Sequence, residues 1–328
     1  MEGLQSLPRN IGGSVQPTFQ IYGPLLVKNA DAIRSTKCET FTYGGHPRQK
    51  LDVYYPTQTQ RRPSLASNNV PVLIFLHGGG LVAGSKNIPG FADGLAHANV
   101  GHFFAEKLGY TTIIPDYRLM SHGARFPSGG EDLAQVVDWV TETLSRQDGY
   151  SSIDLFIMGN SAGGIHLATY MLTADFAASR RKVMSMDPEV PVSLRGIVLL
   201  SVPFNFKQTD QSRADVLKAY FGEDVHAHSP QGLLRAAMLK DPDDVFSNVK
   251  VMVLNGTLDP EDEILDPKAD FLKEWKGLNE DSLAAVTVDM MEGQNHISPP
   301  LSLGTDIEKE EAWGFQVGTF LSSLRSSG

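Results

Sequence analysis

A mainly parallel α/β sheet with helices on both faces is the fold this sequence predicts. Three observations predict it. Short runs rich in Val, Ile and Leu alternate with segments of helical character, the order that builds parallel sheets buried on both sides. One run ends in His77-Gly78-Gly79-Gly80. Another ends in Gly159-Asn160-Ser161-Ala162-Gly163-Gly164, and a helical segment follows at once.

The elements follow in order. Lys50–Tyr55 reads as a strand after the Gly44-Gly45 turn, and Pro71–His77 as a buried strand. The polar stretch Thr57–Asn69 between them reads as an exposed loop. Val100–Leu108 is expected as a helix and Tyr110–Pro115 as a strand. Glu131–Leu144 has apolar residues at helical spacing, with acids in its first turn where the helix dipole favours them. Ile153–Met158 is a strand and Ala162–Thr173 a helix. Leu194–Leu200, Val249–Leu254 and Ala285–Met290 complete the apolar strands, and Glu308–Leu324 is a terminal helix. Asn205–Phe246 breaks the alternation with irregular helical character, marked by Gly222, Pro230, Gly232 and Pro242. It reads as a cap inserted over the carboxyl end of the sheet. We expect one domain over residues 1–328, with a cap at 205–246 to which the N-terminal segment 1–40 contributes.

Composition narrows the function. Lys and Arg total 28 against 38 Asp and Glu, a net charge of −10, with 41% hydrophobic residues. That balance is globular, and it argues against a nucleic-acid partner or a polybasic membrane anchor. No apolar run approaches a membrane span. The opening MEGLQSLPRNIGGS has neither a basic nor an apolar signal region, so a cytoplasmic location is expected. A single cysteine forms neither an intrachain disulfide nor a thiolate cluster.

The motifs carry the chemistry. Gly159–Gly163 fits G-x-S-x-G in the strand–turn–helix context of a nucleophile elbow, where a tight turn thrusts the serine out at the strand end. The bland alternative, a small-residue turn with a capping serine, does not explain that context. The HGGG run lets backbone N–H groups approach an oxyanion closely, and Ala162 after the serine supplies the other donor. A serine needs a base, and the base an orienting acid. Asp259 follows the strand Val249–Leu254, with Asp262 and Glu263 as rivals. His296 is the only histidine downstream of that acid, and it lies just after the last strand. Histidine's ordinary pKa suits it to accept the serine proton near neutrality.

With these residues in view, the sequence resembles the α/β-hydrolase family, in its hormone-sensitive-lipase-like carboxylesterase branch. The resemblance rests on His77–Gly80, Pro115–Leu119, Phe126-Pro127, Glu131-Asp132, Gly159–Gly164, Leu258-Asp259-Pro260 and His296. It implies an eight-stranded, mainly parallel sheet with a helical cap. It also implies Ser161 as nucleophile, His296 as base, Asp259 as orienting acid, and Gly79, Gly80 and Ala162 as oxyanion donors. Dimers are common in that branch, which keeps a homodimer open. Three departures stand out: Asn160 in place of an acid, Leu81 in place of an aromatic, and Met120–Ala124 in place of Ala-Pro-Glu.

Other candidates are weaker. His226 and His228 offer too few ligands for zinc and read as a surface pair. His166 reads as packed, and His97 and His102 as structural or substrate-lining. Asp116 and Arg118 read as a buried pair, and nothing marks Cys38 as a nucleophile. No metal or nucleotide motif is present, so no cofactor is expected. The substrate pocket is expected between Leu81–Val100, Gln16–Asn29 and the cap, with Leu81, Asn160, Phe204 and Tyr220 as substrate contacts. The aromatic members of that set read equally as cap core. The leading expectation is a serine esterase of small or medium hydrophobic esters. Alternatives are an aryl formamidase or lactonase, and a hydrolase or cyclase of polyketide or alkaloid intermediates. A non-catalytic receptor on a hydrolase scaffold is the alternative of another class.

Overall fold

The computed structural model describes residues 2–57, 69–185, 190–240, 246, 249–276 and 286–325. Eight strands form one sheet: β1 (Lys37–Thr42), β2 (Lys50–Tyr55), β3 (Val70–Leu76), β4 (Thr111–Pro115), β5 (Ile153–Asn160), β6 (Val192–Leu200), β7 (Lys250–Gly256) and β8 (Val286–Met291). Their spatial order is β1-β2-β4-β3-β5-β6-β7-β8. β1–β2 and β2–β4 are antiparallel, and every later pairing is parallel. β1 is a strand that the sequence reading passed over; five of its six residues are exposed, so it lacks the apolar run that marks its neighbours. The expected strands otherwise stand, Lys50–Tyr55 with the same bounds and the rest shifted by at most two residues.

Burial on both faces explains the continuous apolar strands. One face carries the larger core, which includes Leu133, Val136, Val137 and Val140 of the helix Ser128–Glu142 and Leu167 and Tyr170 of the elbow helix Ala162–Leu172. The opposite face packs Phe103 and Phe104 with Trp313, Val317 and Leu321 of the C-terminal helix Glu308–Arg325. The helix expected at Val100–Leu108 is divided. It is α-helical over Ala98–His102 and widens to a π-type turn over Phe103–Lys107. Such a widened turn is rare and occurs mostly as a single bulge within an α-helix, and here both of its phenylalanines are fully buried.

Two further pieces stand over the carboxyl ends of the strands. The region expected as a cap holds the helices Gln211–Phe221 and Pro230–Lys240; its residues 241–245 lie outside the described set. The N-terminal helix Ile11–Lys28 was not expected as a helix, because Gly12, Gly13, Pro17 and Pro24 weaken its local signal. Tertiary contacts hold it. The Tyr22 hydroxyl donates to Glu310 at 2.6 Å, the Asn29 amide to the Thr305 carbonyl at 2.9 Å, and Tyr22 and Leu26 are fully buried. Residues 58–68 of the expected loop and Ala285 of the expected last strand also lie outside the described set. Among the described residues, no helix is long and apolar enough to cross a membrane.

Candidate active site

The turn that carries Ser161 is built where β5 ends. Ser161 has φ 51° and ψ −116°, a conformation that L-residues avoid and that costs on the order of 1–3 kcal/mol. Its surroundings hold it there. The Ser161 N–H donates to the Leu200 carbonyl at 2.9 Å, and the Gly164 N–H to the Ser161 carbonyl at 2.9 Å. A Cβ on Gly163 would run into the Leu76 carbonyl, so the elbow helix passes β3 only with glycine at that position.

His296 reaches the serine from the loop after β8. Its Nε2 lies 2.9 Å from Ser161 Oγ, and its Nδ1 lies 3.4 Å from Asp259 Oδ1. Asp259 is wholly buried and His296 nearly so, whereas Ser161 is partly exposed. The other carboxylate oxygen of Asp259 accepts from Ser201 Oγ at 2.7 Å, from the Gly256 N–H at 2.8 Å and from Asn255 Nδ2 at 3.4 Å. These bonds anchor one oxygen and leave the other facing the imidazole. The rival acids are elsewhere: Glu263 pairs with Arg213 at 3.0 Å, and Asp262 is exposed. Ser201 and Asn255 were missed at the sequence level. Both sit at the carboxyl ends of neighbouring parallel strands, where sites of such sheets gather, and that position was their only signal.

The glycine loop turns beside the serine. Gly79 has φ +132°, and a Cβ there would strike the Ala83 carbonyl, so only glycine closes this turn. Gly80 has φ +61° with open space around it. Among the described residues, the N–H groups of Gly79, Gly80 and Ala162 donate to no other protein group. Beneath the loop, the Tyr117 hydroxyl donates to the His77 carbonyl at 2.7 Å, and the His77 ring stacks between Tyr117 and His97. His97 Nδ1 lies 2.8 Å from the Ser85 carbonyl and therefore carries the proton. Burial lowers its pKa to about 3, with His77 adding to the effect, so His97 is neutral at physiological pH.

Ser161, His296, Gly79, Gly80 and Asn160 open into one cavity of about 450 Å³. Ile11, Val15 and Phe19 of the N-terminal helix form one wall, and Ala83, Ile88, Pro300 and Leu301 extend the apolar lining. The cap contributes Arg213. Of the expected walls, Leu81–Val100 contributes Ala83, Gly84, Ile88 and His97, whereas Gln16–Asn29 contributes only Phe19, since Ile11 and Val15 precede it. Three expected substrate contacts are not among the lining residues. Leu81, Phe204 and Tyr220 are buried in the main core: Phe204 stacks on Phe271 at 4.2 Å, and the Tyr220 hydroxyl meets the Gly129 N–H at 3.3 Å. Packing under the cap claims these apolar side chains before a ligand can. Asn160 lines the cavity while its amide donates to the Leu200 carbonyl at 3.4 Å.

The expected Asp116–Arg118 pair is also corrected. The strand ends at Pro115, so the pleat that would put residues 116 and 118 on one face does not extend to them. Arg118 turns to Asp132 and Glu131, both at 2.8 Å, whereas Asp116 faces Arg48 at 3.4 Å and accepts from the Lys86 N–H at 2.7 Å. His166 is buried as expected, His102 bonds Thr36, and Cys38 is exposed far from the elbow in sequence. His226 is exposed, and His228 stacks on Phe126. Among the described residues, no group of His, Cys, Asp and Glu gathers to hold a metal ion.

A mainly parallel eight-stranded sheet with a strand–serine–helix elbow defines an α/β-hydrolase. The chain belongs to the BD-FAE family, whose model matches residues 51–253, and sits in the hormone-sensitive-lipase-like carboxylesterase branch. It is similar to carboxylesterase 20 of Arabidopsis thaliana, at 26% identity over 49% of this chain and 46% of that protein. It is 32% identical to esterase LipC of Mycobacterium tuberculosis over 40% of this chain and 29% of that protein. The chain thus spans less than half the length of these two relatives in the matched regions. Solved structures with the same fold include an esterase of Pyrobaculum calidifontis, with TM-score 0.61, 20% identity and coverage of 99% and 97% of the two chains. An inhibited esterase B of Lactobacillus rhamnosis gives TM-score 0.62 at 14% identity, covering 94% and 95%.

Proposed function

We propose that the protein is a serine hydrolase that cleaves carboxylic esters of small or medium hydrophobic substrates through an acyl-enzyme. The observation that carries this reading is the 2.9 Å contact between Ser161 Oγ and His296 Nε2, made at the wall of an apolar cavity. His296 takes the serine proton as Oγ attacks the ester carbonyl, and Asp259 stabilises the imidazolium that forms. The N–H groups of Gly79, Gly80 and Ala162 receive the oxyanion. His296 then protonates the leaving alcohol, and water returns along the same path to release the acid. The esterase relatives support the ester as the substrate bond.

The test is a panel of p-nitrophenyl esters from acetyl to decanoyl, run on the wild type and on Ser161→Ala. Wild-type turnover with a chain-length optimum is expected, together with a loss of about 10⁴-fold or more in the variant at unchanged melting temperature. Comparable turnover by both proteins removes Ser161 from the mechanism. Absence of turnover, with Ser161 still labelled by a fluorophosphonate, moves the search to aryl formamides, lactones and natural-product intermediates.

A further inference from the structure

The cavity holds one permanent charge that the hydrolytic chemistry does not use. Arg213 stands in the first turn of the cap helix Gln211–Phe221 and lines the same space as Ser161 and His296. Among the described lining residues it is the only Lys, Arg, Asp or Glu. A guanidinium beside apolar walls is costly unless it is paired. Its partner is Glu263, reached by Nη1 alone at 3.0 Å. Arg235 of the same cap shows what a saturated pair looks like: its Nε and Nη2 fork onto both oxygens of Glu274 at 2.8 and 2.6 Å. Arg213 instead makes a single end-on contact, although guanidinium offers five N–H donors in a planar fork. Its side chain is 26% exposed, whereas Glu263 is 7% exposed, so the acid is enclosed and the cation is the accessible member. A cation with open donors beside an apolar cavity selects a planar anion, and a carboxylate matches the fork.

We propose that Arg213 determines specificity by binding a carboxylate carried by the substrate. The preferred substrates are then monoanionic esters: half-esters of dicarboxylic acids, or esters of a carboxyl-bearing alcohol or phenol. This rests on the ester-hydrolase reading of the site. The competing role is purely structural, with the Arg213–Glu263 pair tying the cap to the segment that follows Asp259.

Two ester series separate these roles. In the first, mono-p-nitrophenyl esters of adipic, suberic and sebacic acids are compared with neutral p-nitrophenyl alkanoates of matched length. In the second, 4-carboxyphenyl acetate is compared with 4-acetylphenyl acetate. Wild type, Arg213→Gln and Arg213→Lys are assayed on both. The anionic member of at least one series is expected to lead in kcat/KM by about tenfold or more, chiefly through KM. Arg213→Gln removes the lead, and Arg213→Lys keeps part of it. A structural role lowers both members equally and leaves their ratio unchanged. A wild-type ratio near one in both series, or a ratio untouched by Arg213→Gln, overturns the proposal. Failure of the esterase reading shows separately, as no Ser161-dependent turnover of any ester. In that event, calorimetry of adipic acid monoamide against hexanamide, on Ser161→Ala with and without Arg213→Gln, decides the question. Equal binding of the two amides overturns the proposal.

Discussion

At the scale of the residue, the proposed mechanism depends on one carboxylate held from behind. Three donors hold Asp259 Oδ2, so Oδ1 is left for His296 Nδ1. Asp259→Asn keeps the shape but can present an N–H to the imidazole, which then carries its proton on the wrong nitrogen. We expect kcat on the best p-nitrophenyl ester to fall by about 10³-fold or more, with the melting temperature nearly unchanged. Turnover within a few-fold of wild type would remove Asp259 from its orienting role. Asp259 was legible in sequence as the first carboxylate after a strand end. Its anchors were not, because Ser201 and Asn255 acquire meaning only when β6 and β7 lie side by side.

At the scale of the element, the N-terminal helix links fold and pocket. It presents Ile11, Val15 and Phe19 to the cavity. It also touches the histidine loop, where Asn295 Nδ2 donates to Thr18 Oγ1 at 2.9 Å. Phe19 is propped by Phe91, with ring centroids 4.2 Å apart. Phe19→Ala should therefore enlarge the cavity and move the acyl-length optimum at least two carbons longer. Val15→Trp should shorten it, and Gln20→Ala, on the exposed side, should leave it in place. The kcat/KM profile from acetyl to decanoyl reads all three, and superimposable profiles for wild type and Phe19→Ala would take this wall away from the substrate. Local propensity concealed the helix, since its glycines and prolines read as loop. Tertiary burial of Tyr22 and Leu26 outweighs them.

At the scale of the whole molecule, packing keeps two histidines neutral. Burial lowers the pKa of His166 from 6.5 to about 3, with His77 adding to the shift, and His97 behaves alike. The folded pKa lies below the unfolded one, so between these values the unfolded chain binds more protons. Stability is thus fully present above about pH 6.5 and falls as pH drops toward 3. Each histidine withdraws about 2 kcal/mol by pH 5. Among the described residues, neither ring nitrogen of His166 has a hydrogen-bond partner. His166→Leu should therefore flatten the slope of unfolding free energy between pH 4 and 6 by up to one proton, at little cost at pH 7.5. Urea titrations across that range provide the measurement, and an unchanged slope would mean that His166 does not drive the acid sensitivity.

The sequence by itself determined the fold class, the central strands, the serine elbow, the glycine loop, and the order in which Asp259 and His296 follow. Each of these rests on local chemistry: apolar runs of strand length, glycines where only glycine fits, and polar residues at strand ends. The tertiary structure alone decided which side chains line the cavity. Phe204 and Leu81 are apolar like Phe19, yet the main core takes them together with Tyr220, while Phe19 faces the site from nearly the other end of the chain from His296. Asp116 and Arg118, neighbours in sequence, likewise part to different partners. Hydrophobicity says that a residue will be buried; only the meeting of distant segments settles whether protein or substrate buries it.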